Sequence, residues 1–214
     1  MPQVARLLKI MKTSDYLVIG SGIAGLIFAL EVAEHGTVSV LCKNAPDEGS
    51  TRYAQGGIAS VTSLLDTFQA HIADTLEAGD GLCNEEIVRM VVEDGPERIE
   101  QLIALGTQFD RKDESQDYEL GREGGHSARR ILHARDATGA EIHRAIFARA
   151  AAHPNIEILP YHIAIDFITA DNPDARGGKE VCGVYALDMA ANEVQTFAAK
   201  LTMLATGGAG KVYL

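Results

Sequence analysis

A glycine motif near the amino terminus constrains the fold of this chain more than any other feature. Residues 16–19 (Tyr-Leu-Val-Ile) form a short apolar segment of the length that a buried strand needs. Gly20, Gly22 and Gly25 follow with the spacing G-x-G-x-x-G. Helix-forming residues with an apolar face cover residues 26–34, and a second apolar segment covers residues 38–42. This order predicts a β-α-β unit with parallel strands.

Each glycine of such a unit has its own structural reason. The first allows a tight turn, the second lets a pyrophosphate approach the backbone, and the third lets the helix pack on the strand. Backbone N–H groups at the helix start then face the phosphates. We therefore predict a bound dinucleotide. The alternative is a tight strand–helix turn that binds nothing.

The end of the second predicted strand differs from an ordinary NAD site. An acidic residue that accepts a ribose hydroxyl is expected there, about 20 residues after the glycines. The sequence instead reads Leu41-Cys42-Lys43. Lysine cannot accept that hydrogen bond, but Lys43 can meet a phosphate or offer its backbone.

Composition limits the possible partners. The chain has 214 residues, 46% of them hydrophobic, and a formal net charge of −11. This charge argues against nucleic acid or an anionic membrane surface as a partner, and no apolar run approaches the roughly 18 residues of a membrane span. The three cysteines are far apart and lack zinc-ligand spacing. We predict reduced thiols, no metal and a cytoplasmic location. Residues 1–13 are interpreted as an amino-terminal extension, with a short transit peptide as the alternative.

Periodicity and turn residues predict the remaining elements. A long polar connection covers residues 44–57 and a loose hairpin residues 109–120. Helices are predicted over residues 66–78, 84–93, 96–105 and 138–152, with a capping box at Thr138 and Glu141. Pro96 is predicted to start its helix. Strands are predicted over residues 156–159, 164–169, 181–187, 194–197 and a final buried segment, 201–205. The apolar helix positions expected in the core are Ile87, Val91, Ile99, Leu102 and Ile103.

Four separated blocks carry a resemblance to a known family. They are residues 20–25 (Gly-Ser-Gly-Ile-Ala-Gly), residues 48–57 (Glu-Gly-Ser-Thr-Arg-Tyr-Ala-Gln-Gly-Gly), residues 122–127 (Arg-Glu-Gly-Gly-His-Ser) with 130–133 (Arg-Ile-Leu-His), and residues 205–213 (Ala-Thr-Gly-Gly-Ala-Gly-Lys-Val-Tyr). In order and separation they resemble the L-aspartate oxidase family of the fumarate reductase/succinate dehydrogenase flavoprotein superfamily. The resemblance covers residues 14–214. It implies an α/β, Rossmann-like FAD-binding fold with a parallel sheet, crossover helices and a small β-meander, truncated before the capping domain.

The resemblance also implies which residues bind FAD. The glycine turn would hold the pyrophosphate, residues 50–57 would wrap the flavin, the strand with Ala164 would meet the adenine, and residues 206–208 would form a turn beneath the cofactor. Gln55 could bond a flavin carbonyl or simply staple its own loop. The implied cofactor-binding residues are Gly20, Ser21, Gly22, Ile23, Ala24, Gly25, Lys43, Ser50, Thr51, Arg52, Tyr53, Ala54, Gln55, Gly56, Gly57, Ala164, Thr206, Gly207 and Gly208.

Two departures within the superfamily bear on the chemistry. Respiratory members attach FAD covalently through a histidine at the position of Ser50, so the flavin is expected to be noncovalent here. The dicarboxylate enzymes of the superfamily carry a motif similar to Arg-x-Phe-Gly-Gly at the place where this chain has Arg122-Glu123-Gly124-Gly125. The carboxylate of Glu123 suits a substrate with an amine, such as L-aspartate, and would repel succinate. Glu123 is therefore the candidate for gripping or deprotonating the substrate ammonium, against the alternative of a solvated loop carboxylate.

The other polar residues of these blocks have weaker assignments. His126 is predicted to reach a substrate carboxylate, with a structural loop histidine as the alternative. His133 and His143 are interpreted as packed or solvated. Arg129 and Arg130 are interpreted as surface charges and receive no role.

The function implied by the resemblance is oxidation of L-aspartate to iminoaspartate by hydride transfer to FAD N5. Oxygen or fumarate would reoxidise the flavin, and the product would feed quinolinate and NAD synthesis, with possible coupling to quinolinate synthase. Two alternatives remain: a flavoprotein like succinate dehydrogenase or fumarate reductase, and an inactive domain that only binds nucleotide. In the family a capping domain supplies the arginine acid/base, so the chain alone is expected to be inactive.

Overall fold

The computed structural model describes residues 11–112 and 117–209. The amino-terminal extension up to residue 10, the tip of the predicted hairpin at residues 113–116, and the end of the last resemblance block from residue 210 onward lie outside the described residues. The chain divides into two compact units. One is built from the described residues of Met1–Ser50 and Ile146–Leu214, the other from those of Thr51–Ala145.

The first unit contains one six-stranded sheet and one helix before its long connection. Strand β1 is Met11–Ile19, helix α1 is Ile23–Val32 and strand β2 is Val38–Leu41. The later strands are β6 (Ile156–Leu159), β7 (His162–Asp171), β8 (Lys179–Asp188) and β9 (Glu193–Leu204). Their order in the sheet is β6-β2-β1-β9-β8-β7.

The strand pairing confirms the predicted β-α-β unit. Strands β6, β2, β1 and β9 are mutually parallel, with Tyr16 opposite Val38 and Ile19 opposite Leu41. Strands β7, β8 and β9 are antiparallel neighbours, so they form the expected small β-meander. The observed fold is therefore the mixed α/β, mostly parallel arrangement that the resemblance implied.

Buried apolar residues cover both faces of this sheet. One cluster contains Leu17, Ile19, Leu41, Leu159, Val184, Ala186 and Phe197. The other contains Val18, Val38, Val40 and Cys42 together with Ala29 and Ala33 from the segment of α1. Alternate residues of β1 enter opposite clusters because successive side chains of a strand point to opposite faces. This is why residues 16–19 read as a continuous apolar run.

The end of the sheet differs from its prediction. Residues 194–197 and 201–205 were expected to form two strands, but β9 is one continuous strand. The predicted final strand is also less buried than expected, since Leu201 is 45% and Leu204 58% exposed. The charged Lys200 breaks the apolar pattern, while the pairing of β9 along β1 carries the strand through it.

The second unit has a small antiparallel sheet and helices around it. Its strands are β3 (Ile58–Ala59), β4 (Leu120–Gly121) and β5 (Ile131–Leu132), in the order β3-β5-β4. Helix α2 is Phe68–Ala78 and helix α3 is Glu85–Ala104. Helix α4 is Thr138–Ala151; its residues up to Ala145 belong to the second unit and those from Ile146 onward to the first. The loose hairpin is confirmed by a bridge that joins Arg111 to Tyr118.

Helix α3 contradicts the prediction of two shorter helices. Asn84 caps it as expected, accepting from the Ile87 N–H, but the helix runs through Pro96. An internal proline costs helix stability. Burial of Val92, Ile99 and Leu102 on one continuous face offsets that cost. The prediction that Ile87 and Val91 lie in the core is wrong, because they are 52% and 60% exposed.

Helix α4 buries Ile142, Ile146 and Ala150. Its amino-terminal side chains do not pair as a capping box. The Thr138 hydroxyl accepts from the Ala134 N–H at 3.1 Å, and Glu141 accepts from the Gln108 N–H at 2.9 Å. Among the described residues, no helix is both long and apolar enough to cross a membrane.

Candidate functional site

The glycine turn of the first unit is packed so closely that two of its glycines cannot carry a side chain. Gly20 has φ +116°, a conformation that suits glycine, and a Cβ there would collide with the Ala205 carbonyl oxygen. A Cβ on Gly25 would collide with the Gly20 carbonyl oxygen and would lie 3.2 Å from Val18 Cγ1. The turn and the strand–helix packing therefore depend on glycine, as the motif predicts.

The start of α1 has the features of an anion site. Gly22 is the N-cap residue, with extended backbone and no side-chain hydrogen bond to the helix. Backbone N–H groups at a helix start point toward a bound anion, and the helix dipole favours negative charge there. Ser21 Oγ donates to the Pro46 carbonyl at 2.7 Å, which ties the turn to the connection after β2.

The other predicted residues of this unit lie at the same edge of the sheet. The Gly20 N–H donates to Leu41 O at 2.9 Å and the Ala205 N–H donates to Ile19 O at 2.9 Å. Lys43, which is exposed, and the exposed turn of residues 206–208 therefore follow the carboxyl ends of strands that flank β1. Ligands of open α/β sheets bind at that edge.

Ala164 lies near the start of β7, close to the same edge of the sheet. It is two residues after His162, whose N–H donates to the Cys42 carbonyl at 2.8 Å. The Ala164 side chain packs against the cluster that contains Leu41. Its predicted backbone contact with adenine stays a prediction, as do the other cofactor contacts.

The predicted flavin loop is divided between the units. Ser50 is an exposed residue at the end of the first unit's segment. Within the second unit, residues 51–57 are held by close backbone approaches: the Gly139 N–H donates to Ala54 O at 2.9 Å, and a Cβ on Gly57 would collide with Leu132 O. Arg52, Tyr53, Ala54, Gln55 and Gly56 are exposed along this loop.

A cleft of about 440 Å³ in the second unit brings this loop together with Glu123. Its lining residues are Gln55, Gly56, Gly121, Glu123, Ile131, His133, Arg135 and Asp136. Both signs of charge therefore line one cavity. A zwitterionic ligand fits such a lining, because its ammonium can meet a carboxylate while its carboxylate meets a cation.

His126 is half-buried beside Glu123 and does not line this cleft. Its Nδ1 accepts from the Glu123 N–H at 3.4 Å, and its own N–H donates to Glu123 O at 3.2 Å. Its ring also contacts the ring of His71 edge-on, with centroids 6.3 Å apart. These contacts favour a structural contribution to the loop. The predicted contact of His126 with a substrate carboxylate is untested.

A buried ionic cluster anchors the loop that carries Glu123. Asp74 accepts from the Ser127 N–H at 2.7 Å and from its hydroxyl at 2.8 Å. Arg130 donates to Asp74 at 2.6 Å and to both oxygens of Asp66 at 2.8 and 2.9 Å. Although burial opposes the charged guanidinium, its hydrogen bonds to the two carboxylates raise the pKa of Arg130. Burial likewise opposes the charge of Asp74, but the bonds from Ser127 and Arg130 lower its pKa.

The interpretation of Arg130 as a surface charge is therefore wrong. Its side chain is 0% exposed. The sequence contains a signal for this, because period-two alternation through β5 places Arg130 and Leu132 on one face and Ile131 and His133 on the other. Arg130 and Leu132 are fully buried. Ile131, which is also buried, and His133 line the cleft.

His133 was interpreted as packed or solvated and has a more specific environment. Its Nδ1 lies 3.0 Å from Asp110 Oδ2, which also accepts from the Arg135 N–H at 2.6 Å. A sequence signal for this contact is hard to find, because the two residues are 23 positions apart. His143 is buried, as one of its two interpretations expected.

The comparison with known families agrees with the glycine turn. Residues 15–213 match the FAD binding domain family. The chain belongs to the FAD-binding-domain family. FAD is the cofactor of this domain, and the closely packed glycine turn at the start of α1 is the structural feature that fits its pyrophosphate.

Individual relatives show which members of the family this FAD-binding domain is similar to. It is 50% identical over 200 residues to an L-aspartate oxidase of Nicotiana tabacum named chloroplastic, covering 93% of this chain and 30% of the relative. It is 48% identical over 206 residues to the L-aspartate oxidase of Pseudomonas aeruginosa, covering 94% and 38%. The structure of E. coli quinol fumarate reductase superposes with a TM-score of 0.84 at 29% identity, over 95% of this chain and 34% of that one.

The FAD-binding domain thus spans about a third of the length of the curated relatives that it matches. Within the described residues, no group of three or more His, Cys, Asp or Glu side chains could hold a metal ion. The cysteines Cys42, Cys83 and Cys182 are free, which confirms the predicted thiols. Burial raises the pKa of the Cys42 thiol, against a smaller lowering by a hydrogen bond from Ser21.

Proposed function

We propose that this chain is the FAD-binding portion of an L-aspartate oxidase, which converts L-aspartate to iminoaspartate and passes the electrons to oxygen or fumarate. The observation that carries the proposal is the 50% identity to an L-aspartate oxidase over nearly the whole chain. The carboxylate of Glu123 in a cleft with cationic and anionic lining supports an amino-acid substrate. The product would enter quinolinate and NAD synthesis, with quinolinate synthase as a possible partner.

The residues of the first unit would hold the dinucleotide. Residues 20–25 present a helix start to the pyrophosphate, Lys43 offers its side chain or backbone beside it, and residues 206–208 give a third, side-chain-poor backbone at the same edge. FAD, when bound, supplies the acceptor for the substrate hydride. A serine at position 50 cannot form a histidyl bond, so the proposed attachment is noncovalent.

The residues of the second unit would hold and orient the substrate. Glu123 accepts hydrogen bonds from the α-ammonium and so favours a ligand with an amine over a plain dicarboxylate. The hydrogen bonds that Asp74 accepts from Ser127, which lies four residues after Glu123, fix the loop of Glu123. His126 would donate from Nε2 to a substrate carboxylate, since its Nδ1 accepts from the Glu123 N–H.

The experiment compares two ligands that differ by the amine. L-Aspartate and succinate are titrated into the FAD-loaded chain and followed through the flavin absorption spectrum. Glu123→Gln removes the charge at constant size and is expected to weaken aspartate binding about 10-fold, as for the loss of a charge-assisted hydrogen bond. Succinate binding should stay equal or improve, because a repelling carboxylate is gone.

Glu100→Gln is the matched control, since Glu100 is exposed on α3 and outside the cleft. It should leave both affinities unchanged. Equal losses for aspartate and succinate in Glu123→Gln would contradict the assigned role of Glu123. Preference of the unmodified chain for succinate would support the second candidate, a fumarate reductase-like flavoprotein, which the superposition on quinol fumarate reductase favours. Tight FAD binding without any ligand response would indicate a nucleotide-binding domain alone.

The location of the protein is part of the same proposal. We expect a cytoplasmic enzyme, as in the interpretation of the sequence. The Nicotiana tabacum relative is named chloroplastic and the Pseudomonas aeruginosa relative carries no such term. Fractionation of the source cells followed by immunodetection of the chain separates the two locations.

A further inference from the structure

The imidazole of His133 is held in one orientation by its neighbours. Its Nδ1 lies 3.0 Å from Asp110 Oδ2, and the Asp110 N–H donates to the His133 carbonyl at 2.9 Å. Asp110 Oδ2 already accepts from the Arg135 N–H at 2.6 Å. Because the Asp110 carboxylate oxygen can only accept, Nδ1 must be the donor in this hydrogen bond. The neutral ring therefore carries its hydrogen on Nδ1 and a lone pair on Nε2.

The backbone after His133 is arranged to make this contact. Arg135 adopts φ +49°, which is uncommon for a residue other than glycine. That conformation presents the Arg135 N–H to Asp110. Strained backbone of this kind is frequent at binding and catalytic sites, where the surrounding structure maintains it.

The free edge of the ring belongs to the cleft that contains Glu123. Both His133 and Glu123 line it, together with Gly121. A Cβ on Gly121 would lie 3.8 Å from His133 Cδ2, so the ring edge next to Nε2 faces a residue without a side chain. Within residues 11–112 and 117–209, Nε2 of His133 has no hydrogen-bond partner.

We propose that His133, oriented by Asp110, is the base that accepts a proton from the α-ammonium of an amino acid gripped by Glu123. This inference rests on the proposed function and adds a residue to it. The reason is a difference between the two side chains. A carboxylate is a weaker base than an imidazole, and histidine is the side chain that most often acts as a general base.

The step is balanced within the chain and its substrate. The lone pair of His133 Nε2 forms the new N–H bond, and the N–H bond of the substrate ammonium breaks, leaving its electron pair on the amine nitrogen. The products are a neutral amine and an imidazolium. The imidazolium keeps its Nδ1–H on Asp110, whose carboxylate stabilises the new positive charge, as in other histidine–carboxylate pairs. No oxidant is consumed in this step.

The first test observes the ring nitrogen directly. The imidazole ¹⁵N resonances of His133 in the FAD-loaded chain are assigned with His133→Gln and followed during titration with L-aspartate and with succinate at pH 8. We expect the free ring to be the Nδ1–H tautomer. L-Aspartate should move the Nε2 resonance with the saturation curve of the flavin spectrum, and succinate, which lacks an amine, should not.

The second test measures single-turnover reduction of the flavin by L-aspartate without oxygen in the full-length oxidase of which this chain is the proposed FAD-binding portion, because the chain alone is expected to be inactive. His133→Gln preserves a polar side chain that cannot take the proton. The rate of flavin reduction at pH 7.5 should fall about 100-fold in this variant, which is the lower end of the range for loss of a general base. The loss should shrink as the pH rises and the ammonium ionises unaided. The charged groups that line the cleft with His133 are Glu123, Arg135 and Asp136, with Asp110 behind the ring, and all are retained in this variant.

The control is His35→Gln, because His35 is exposed in the first unit. It should keep the unmodified rate and pH profile. An Nε2 resonance that stays fixed while aspartate binds, or a His133→Gln rate profile equal to that of the unmodified chain, would overturn the role of His133 alone. Failure of the unmodified full-length oxidase to bind or respond to aspartate would overturn the proposed function and this inference with it.

Discussion

The buried pair of Asp66 and Arg130 gives the sharpest prediction about stability. The Arg130 side chain is 0% exposed and that of Asp66 1%, and two hydrogen bonds of 2.8 and 2.9 Å join them. Asp66→Asn preserves the size of the side chain but removes its charge. It also turns one acceptor into a donor that faces the guanidinium.

The expected loss follows from burial. Removing one partner of a buried ion pair costs about 3–5 kcal/mol, because the other charge stays buried without compensation. Asp74 continues to accept from Arg130 at 2.6 Å, so we expect the low end, about 3 kcal/mol. That is roughly a 150-fold change in the opening equilibrium.

The assay must read the second unit specifically, because two compact units can unfold in separate steps. Native-state hydrogen exchange provides this. The Ser60 N–H donates to Arg130 O at 2.9 Å and the Arg130 N–H donates to Gly121 O at 3.1 Å, so both amides report opening beside the ion pair. Exchange is measured as a function of denaturant in the unmodified chain and in each variant.

A matched control uses an exposed pair of the same unit. Glu93→Ala removes a contact with Arg89 at 3.7 Å in which both side chains are 47% exposed, and should cost less than about 1 kcal/mol. Arg130→Met and the double variant Asp66→Asn/Arg130→Met complete a cycle, and the double loss should fall about 3 kcal/mol short of the sum. A loss in Asp66→Asn no larger than in Glu93→Ala, or additive losses, would refute the reasoning.

Two further predictions concern packing and pH. Gly25→Ala should weaken FAD binding more than 10-fold and destabilise the first unit by about 1–3 kcal/mol, because the added Cβ collides with the Gly20 carbonyl. Gly49→Ala is the control and should change neither quantity, because a Cβ on Gly49 would have no neighbour within 4 Å. Equal effects in the two variants would contradict this prediction. The pKa of His71 is lowered, first by burial and then by the nearby positive charge of Arg130, with a smaller contribution from His126. The negative charges of Asp66 and Asp74 oppose this shift. Protonation below about pH 6.5 therefore favours the unfolded chain, so stability should fall between pH 7.5 and 5.5. His71→Gln should flatten this slope and exposed His35→Gln should not; denaturant midpoints at the two pH values decide.

The sequence predicted the parts of the fold that depend on local signals. The strand, glycine turn, helix and strand at residues 16–42 were recognisable because the turn itself requires glycine at Gly20 and Gly25. Local rules failed at Pro96, where burial of Ile99 and Leu102 on the face of Val92 sustains one helix through the proline. An amphipathic pattern also cannot show which of two apolar stripes is covered, so Ile87 and Val91 were wrongly placed in the core.

The site was less predictable than the fold because its contacts join distant positions. Arg130 meets Asp66 and Asp74 across separations of 64 and 56 residues. Alternation through β5 places Arg130 on the face of Leu132, but no local pattern shows which carboxylates it meets. The resemblance located Glu123, but the pairing of His133 with Asp110 depends on the backbone hydrogen bond between them, which becomes visible only in three dimensions.

The measurement that tests the central claim most directly is an absorption spectrum of the purified chain with added FAD, taken before and after acid precipitation. A noncovalent flavoprotein should show the visible flavin band, and its colour should leave with the supernatant. Addition of L-aspartate without oxygen, before precipitation, should change that band. Colour that remains in the pellet would contradict the use made of Ser50, and a chain that never takes up flavin would contradict the proposed role of its glycine turn.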